Sequence, residues 1–205
     1  MKFLFNRCLN ASYTHTAENG DYAIEVGGNT LYILFEWSDG AEDWKNNFDF
    51  PAIPYKHMAE TWFCHRGFLR VWKAMRDEVE KRVAEILAQH PEITDFKIVG
   101  YSHGGAMALL ATEDMVYLYG EKINVSGYGF GAPRVLWGYV PKAVKNRLQH
   151  FYVIRNNKDI VTHVPPALFG FRHVSEVVKI GQTNPVKDHY PEKYTHNLTE
   201  VPKTE

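Results

Sequence analysis

Two apolar runs near the beginning of the chain predict a β-hairpin. Residues 22–26 and 30–35 are rich in β-branched and aromatic side chains, and Gly27-Gly28-Asn29 between them suits a tight turn. The second run is apolar from Leu31 to Phe35. An uninterrupted apolar run of this length is typical of a strand that is buried on both faces of a sheet.

The clearest helical pattern covers residues 66–89. Its apolar positions advance by three or four residues and therefore form one stripe. These positions are Phe68, Trp72, Met75, Val79, Val83 and Ile86. His90-Pro91 follows and predicts the end of the helix.

Strands and helices alternate through the rest of the chain. The pattern predicts strands over 96–99, 123–130, 151–154 and 176–180, a helix over 104–119 and a short helix within 139–149. Strands separated by helices need crossover connections, so the fold class is α/β with a mostly parallel sheet flanked by helices. Functional side chains are then expected where strands end, at the carboxyl edge of the sheet.

Composition limits the function classes. Lys and Arg number 23 against 24 Asp and Glu, and no basic run occurs, which argues against a nucleic-acid partner. Two cysteines, Cys8 and Cys64, are too few for a disulfide framework, and their pairing stays open. The first residues lack the apolar stretch of a signal peptide, and no segment approaches the roughly 18 apolar residues of a membrane helix. We therefore expect no transmembrane segment and a cytoplasmic location, or secretion if an export signal was removed.

The segment Gly100-Tyr101-Ser102-His103-Gly104-Gly105 carries the candidate chemistry. It follows a predicted strand and precedes a predicted helix, the context in which G-x-S-x-G forms a nucleophile elbow. Ser102 is then the nucleophile, and the backbone N–H of His103 at the helix start is an oxyanion donor. The alternative is an ordinary glycine-rich turn.

A serine nucleophile needs a base and an orienting carboxylate, which follow it along the chain in this architecture. Asp159 lies just after a predicted strand and is the best candidate acid, although a turn-capping role is the alternative. Asp188 and Asp114 are weaker candidates, since the first adjoins a histidine and the second lies within a helix.

Four histidines follow Asp159: His163, His173, His189 and His196. His163 is too close in sequence to return across the site, and spacing favours His189 over His196. We interpret four others as structural, namely His15, His57, His90 and His150. No H-E-x-x-H or similar spacing occurs, so neither a metal nor a cofactor is predicted.

Six ordered blocks between about residues 30 and 195 resemble the class 3 lipases, which include the fungal triacylglycerol lipases and their bacterial and phage relatives. The first three blocks are Leu31–Phe35 followed by Ser38-Asp39, the D-W-x-x-N segment at 43–47, and the H-x-G-F segment at 65–68. The last three are residues 100–105, the F-G-x-P-R-V segment at 130–135, and Asp159-Ile160-Val161 followed by Val164-Pro165-Pro166. The resemblance implies one α/β-hydrolase domain over residues 1–205.

The resemblance also implies site roles. Ser102 is the nucleophile, Asp159 the acid, and Ser38 the first oxyanion donor together with His103. His173 falls where the family often has a noncatalytic histidine, and His189 followed by Tyr194 is similar to the family's terminal D-H-x-x-x-Y pattern. The implied activity is hydrolysis of carboxylic esters of lipid or acyl type, with transient contact to a lipid surface.

Two departures from the family concern the substrate more than the reaction. Phe35-Glu36-Trp37 replaces the common Phe-Arg-Gly, and His103 replaces the usual leucine. The aromatic segment from Gly40 to Met58 is either a flap over the site or a surface loop whose aromatics fill the core. Alternative functions are a noncatalytic binding protein on the same scaffold and a thioester or amide hydrolase.

Overall fold

The computed structural model describes residues 1–16, 20–37, 51–57, 59–181 and 188–198. The strands within these ranges are β1 (Tyr22–Gly27), β2 (Thr30–Phe35), β3 (Ala52–His57), β4 (Glu60–His65), β5 (Asp95–Tyr101), β6 (Asn124–Phe130), β7 (Leu136–Trp137), β8 (Phe151–Asn156), β9 (Phe171–Arg172) and β10 (Glu176–Ile180). The α-helices are α1 (Lys2–Leu9), α2 (Arg66–Gln89), α3 (His103–Tyr119), α4 (Lys142–Arg147) and α5 (Pro191–Asn197).

Six strands form the central sheet in the order β1-β2-β5-β6-β8-β10. β1 and β2 pair antiparallel from Tyr22 opposite Phe35 to Gly27 opposite Thr30, which confirms the predicted hairpin. All other neighbours in this sheet are parallel. The predicted α/β class with a mostly parallel sheet is therefore confirmed, and the ends of β5, β6 and β8 meet at one edge.

Helix α2 has the predicted bounds and buries the predicted stripe. Its first turn is capped by His65, whose Nδ1 accepts the N–H of Phe68 at 3.4 Å. All predicted stripe residues except the half-buried Ile86 are buried. Neither this helix nor any other in the described part of the chain combines the length and the apolarity needed to cross a membrane.

Helix α3 follows the candidate nucleophile and is buried from Gly104 to Met115. It packs against β5, β6 and α2. Asp114 of this helix accepts hydrogen bonds from Tyr55 Oη at 3.0 Å and Trp72 Nε1 at 3.0 Å. Burial raises the pKa of Asp114 well above its usual range. Asp114 thus belongs to the core and not to the candidate site.

A second, antiparallel sheet has the strand order β3-β4-β7-β9 and is absent from the sequence prediction. β3 occupies residues 52–57 of the segment considered as a flap, and its Tyr55 is fully buried. Tyr55 therefore packs in the core, as the alternative interpretation expected of the aromatics, but residues 52–57 form a strand and not a surface loop. Residues 40–50 and 58 lie outside the described residues.

Helix α1 is a second unpredicted element. It buries Phe5 and Cys8 beneath the central sheet. The Phe5 ring lies 4.8 Å from that of Phe130, 5.5 Å from that of Tyr101 and 5.6 Å from that of Tyr194. Cys8 and Cys64 are both free thiols. The helix therefore completes an aromatic cluster under the carboxyl edge of the sheet.

Candidate active site

Ser102 stands at the junction of β5 and α3 in a strained turn. Its backbone has φ 53° and ψ −119°, a conformation that L-residues rarely adopt. Its N–H donates to the carbonyl of Phe130 at 2.8 Å, which fixes the turn against β6. This is the geometry of a nucleophile elbow, and it holds the hydroxyl at the start of a helix.

The glycine two residues after Ser102 is required by close packing. A Cβ on Gly104 would lie 2.4 Å from the carbonyl oxygen of Phe35 and 2.5 Å from that of Glu36. Both contacts are with backbone, which yields little. The end of β2 therefore lies directly against the first turn of α3, whose leading N–H groups have no acceptor within the helix.

His189 connects Ser102 to Asp159. Its Nε2 lies 2.9 Å from Ser102 Oγ, and its Nδ1 lies 2.8 Å from Asp159 Oδ2. A carboxylate only accepts, so Nδ1 donates to Asp159 and Nε2 is left to accept the Ser102 proton. The structure thus brings three sequence-predicted residues into one hydrogen-bonded chain.

Asp159 is buried and its carboxylate is fully engaged. Besides His189, it accepts the hydroxyl of Tyr194 at 2.6 Å and the N–H of Val161 at 2.8 Å. Burial, and then the charge of Asp159, raises the pKa of Tyr194, so that its hydroxyl keeps its proton and donates. These donors compensate a carboxylate that is removed from water.

Two further contacts orient His189. The ring of Tyr101 stacks on its imidazole with centroids 5.2 Å apart and planes 24° apart. The Tyr101 hydroxyl also donates to the His189 backbone carbonyl. Tyr101 therefore holds both the ring and the main chain of His189, a role that sequence reasoning missed because the residue falls at a variable position of G-x-S-x-G.

The loops that carry Asp159 and His189 are tied together by Asp188. Its Oδ2 accepts from Asn157 Nδ2 at 3.1 Å and from the N–H of Lys158 at 3.1 Å. Its carbonyl accepts from Asn156 Nδ2 at 2.8 Å. Asp188, a weaker candidate acid in the sequence, therefore stabilises the loop that carries His189 through these hydrogen bonds.

Gly131 packs directly against the Asp159 and His189 side chains. It has φ +60°, and a Cβ there would lie 2.9 Å from Asp159 Oδ2 and 2.9 Å from His189 Cε1. Sequence reasoning noticed this glycine only as part of a family block. Both its backbone conformation and the lack of space exclude a side chain.

The other candidate histidines have different partners. His163 Nε2 accepts from Arg155 Nη1 at 2.8 Å, and burial followed by the charges of Arg155 and Arg134 lowers its pKa. His173 Nε2 lies 2.8 Å from the carbonyl of Thr162, which fits a structural role. His196 is exposed on α5 and is not part of the hydrogen-bonded chain.

Three side chains of the kinds that bind metal ions lie close together away from this site. His15, Asp21 and Glu36 bring ligand atoms within 4.8 Å of one another. His15 is exposed, and its Nδ1 lies 2.9 Å from Asp21 Oδ2. The surface pair of His15 and Asp21 explains why two of these three side chains lie together, and we assign no metal ion to them.

A pocket opens beside the nucleophile. Its described lining is Phe68, Ser102, His103, Pro133, Val161, Val164 and Pro165. The lining is apolar apart from Ser102 and His103. Ser38, the other predicted oxyanion donor, lies outside the described residues.

The model of the protein family described as Lipase (class 3) matches residues 32–169 of this chain. The chain belongs to the class 3 lipase family. Its sequence is 32% identical over 161 residues to a lipase of Rhizomucor miehei, covering 76% of this chain and 43% of that protein. It is 28% identical over 162 residues to secreted mono- and diacylglycerol lipase 1 of Fusarium solani, covering 79% of this chain and 47% of that protein. The chain thus spans less than half the length of either relative.

The fold agrees with this family. The solved structure of the Rhizomucor miehei triacylglyceride lipase superposes with a TM-score of 0.71 at 27% identity, covering 83% of this chain and 66% of that one. The fold is therefore that of an α/β-hydrolase, as the resemblance implied. The family blocks that carry Ser102 and Asp159 lie within the matched range, whereas His189 lies beyond it.

Proposed function

We propose that this chain is a serine hydrolase of carboxylic esters. The observation that carries the proposal is the continuous chain of hydrogen bonds from Ser102 Oγ through His189 to the buried Asp159. The family membership supports the same activity.

The reaction has two stages in this proposal. Ser102 Oγ attacks the ester carbonyl carbon while its proton passes to Nε2 of His189, and Asp159 stabilises the resulting imidazolium. The same Nε2 proton then goes to the departing alcohol, which leaves an acyl-enzyme. Water, deprotonated by His189, attacks the acyl carbon and releases the acid with free Ser102.

The oxyanion of each tetrahedral intermediate needs donors. We assign one to the N–H of His103 at the start of α3, where the helix dipole also favours negative charge. We assign the second to the backbone N–H of Ser38, at the position where the resemblance places the family's Ser or Thr. The contact of Gly104 with the end of β2 supports this assignment, because it brings the chain leading to Ser38 next to the elbow.

The substrate class follows from the relatives. They are named lipases, and the side chains that surround Ser102 in the described residues are mostly apolar. We therefore propose lipid or acyl esters, with transient contact to a lipid surface. The relatives named as secreted favour the secreted alternative over the cytoplasmic location. Assaying the medium and the lysate of producing cells separately distinguishes the two.

Hydrolysis of p-nitrophenyl esters from acetate to palmitate tests the proposal, with Ser102→Ala measured in parallel. We expect activity in the parent chain and a loss on the order of 10⁶ in turnover in the variant. A folded parent chain that hydrolyses none of these esters contradicts the proposal and favours a thioester or amide substrate, or a binding scaffold.

A further inference from the structure

Asn156 is the last residue of β8 and is fully buried. Its main chain contacts the candidate acid on both sides. The carbonyl of Asn156 accepts the N–H of Asp159 at 2.9 Å, which closes the turn that carries the acid. The N–H of Asn156 donates at 3.1 Å to Oη of Tyr194, whose hydroxyl in turn donates to Asp159. The backbone of Asn156 therefore holds the acid and its tyrosine donor together.

The side chain of Asn156 reaches the loop of the candidate base instead. Its Nδ2 donates at 2.8 Å to the carbonyl of Asp188, the residue directly before His189. Its Oδ1 accepts from Nδ2 of Asn197, in α5, at 2.6 Å. A carbonyl only accepts, so the bond to Asp188 fixes which end of the amide faces the loop. One residue thus connects the turn of the acid to the loop of the base.

The packing around this amide leaves it little freedom to move. A Cβ on Gly181 would lie 2.7 Å from Asn156 Oδ1 and 2.4 Å from Asn197 Nδ2. Gly181 also has φ +77°, a conformation that suits glycine. The end of β10 is therefore pressed against the acceptor side of the amide, which directs Nδ2 towards Asp188.

The amide differs from the other groups that bind Asp188. Asn157 is half-buried and Lys158 is exposed, so water can replace the hydrogen bonds that they donate to the Asp188 carboxylate. Asn156 is removed from water, and its loss leaves the Asp188 carbonyl without this donor. The position of the loop in front of His189 therefore depends most on the Asn156 amide.

A displaced loop affects the reaction through His189. Its imidazole must keep both the 2.9 Å distance to Ser102 Oγ and the 2.8 Å distance to Asp159 Oδ2. A shift of about 1 Å in such a group costs roughly 10²-fold in rate. Asn156 is not among the described side chains that surround Ser102, so substrate binding does not involve it directly.

We propose that the Asn156 side chain is a positioning residue that holds His189 in line between Ser102 and Asp159 by donating to the Asp188 carbonyl. The proposal rests on the ester-hydrolase function proposed above and names a residue that acts through its base. The half of the amide that matters is the donor that faces Asp188, and the acceptor that faces Asn197 has the lesser role.

The test measures kcat and KM separately on p-nitrophenyl butyrate, at a temperature where circular dichroism shows each variant to be folded. Asn156→Leu keeps the approximate shape of the side chain without its polar atoms, and Asn156→Ala removes the amide without adding bulk. Asn197→Ala removes only the partner of the acceptor half. Asn124→Ala is the matched control, since this exposed asparagine also donates a side-chain hydrogen bond, to Asp95 at 2.9 Å, but begins β6 at the opposite edge of the sheet.

We expect kcat to fall roughly 10- to 100-fold in both Asn156 variants while KM stays within about 2-fold of the parent value. Asn197→Ala lowers kcat less than either of them, because the donor to Asp188 remains. Asn124→Ala keeps the kcat of the parent chain. A purely structural role would lower the melting temperature without this separation of kcat from KM.

Four results overturn the proposal: unchanged kcat in the Asn156 variants, a loss that lies mainly in KM, an equal loss in Asn197→Ala, or failure of both Asn156 variants to fold at any temperature. Each of them leaves the ester-hydrolase function intact, provided that the parent chain shows hydrolysis that Ser102→Ala abolishes. Absence of such hydrolysis in the parent chain overturns the function and this proposal together.

Discussion

The candidate site joins two regions that are built in different ways. The elbow is local: β5, Ser102 and α3 are consecutive in sequence, and Gly104 lets the helix approach the end of β2. The acid–base arm is assembled from segments far apart in sequence, with Asp159 after β8, His189 just before α5 and Tyr194 within α5. A local motif can be recognised from the sequence, whereas an assembled one depends on tertiary contacts.

The two regions also differ in how they hold their functional group. Ser102 is positioned mainly by backbone, through its strained turn and the hydrogen bond from its N–H to the carbonyl of Phe130. Asp159 and His189 are fixed by side chains, chiefly the hydroxyl of Tyr194 and the ring of Tyr101. We therefore expect substitutions in the arm to lower activity while the fold is kept.

The largest effect is expected from His189→Ala. Removing the base should lower kcat on the order of 10⁵- to 10⁶-fold, because Ser102 loses the acceptor for its proton. The measurement is kcat on p-nitrophenyl butyrate, with His196→Ala as the control from the exposed face of α5. Near-normal turnover of His189→Ala together with inactivity of His196→Ala would transfer the base role to His196.

A smaller loss is expected from Gly131→Ala. The added Cβ must displace Asp159 or His189, and misplacement of a catalytic group by about 1 Å costs roughly 10²-fold in kcat. Gly138→Ala is the matched control: Gly138 also has a positive φ, but nothing lies within 4 Å of its Cβ position. An equal loss of activity in both variants would show that backbone strain, and not the clash with Asp159 and His189, causes the loss. Full activity of Gly131→Ala would show that neither matters.

The smallest of these effects is expected from Tyr194→Phe. The variant keeps the ring in the aromatic cluster but removes the 2.6 Å hydrogen bond to Asp159. We expect kcat to fall about 10-fold, at the lower end of the roughly 1.5–3 kcal/mol that one donor to a charged group contributes, because Asp159 keeps the donors of His189 and Val161. Tyr139→Phe, on an exposed ring, serves as the control. Unaltered kcat and melting temperature in Tyr194→Phe would remove this residue from the support of the arm.

The sequence predicted elements well where one signal was sufficient. The stripe from Phe68 to Val83 defined α2, and the uninterrupted apolar run of β2 indicated a strand buried on both faces. It missed α1, because an eight-residue helix is marginal by itself and depends on burial of Phe5 and Cys8. It also missed β4, where Trp62 and Cys64 are buried but the run is short and leads directly into α2.

The same division holds at the site. By itself, the sequence determined the elbow, because strand, glycines, serine and helix are contiguous and their steric requirements are local. It favoured His189 but left His196 open as the alternative, since spacing along the chain ranks the two histidines and does not place either of them. In the folded chain, the His189 ring stacks on Tyr101, and a hydrogen bond from Asn157 to Asp188 holds the loop that carries His189. These tertiary contacts place His189 beside Ser102. The physical reason is range: backbone sterics act between neighbours in sequence, whereas a hydrogen-bonded pair needs two distant segments to be packed against each other first.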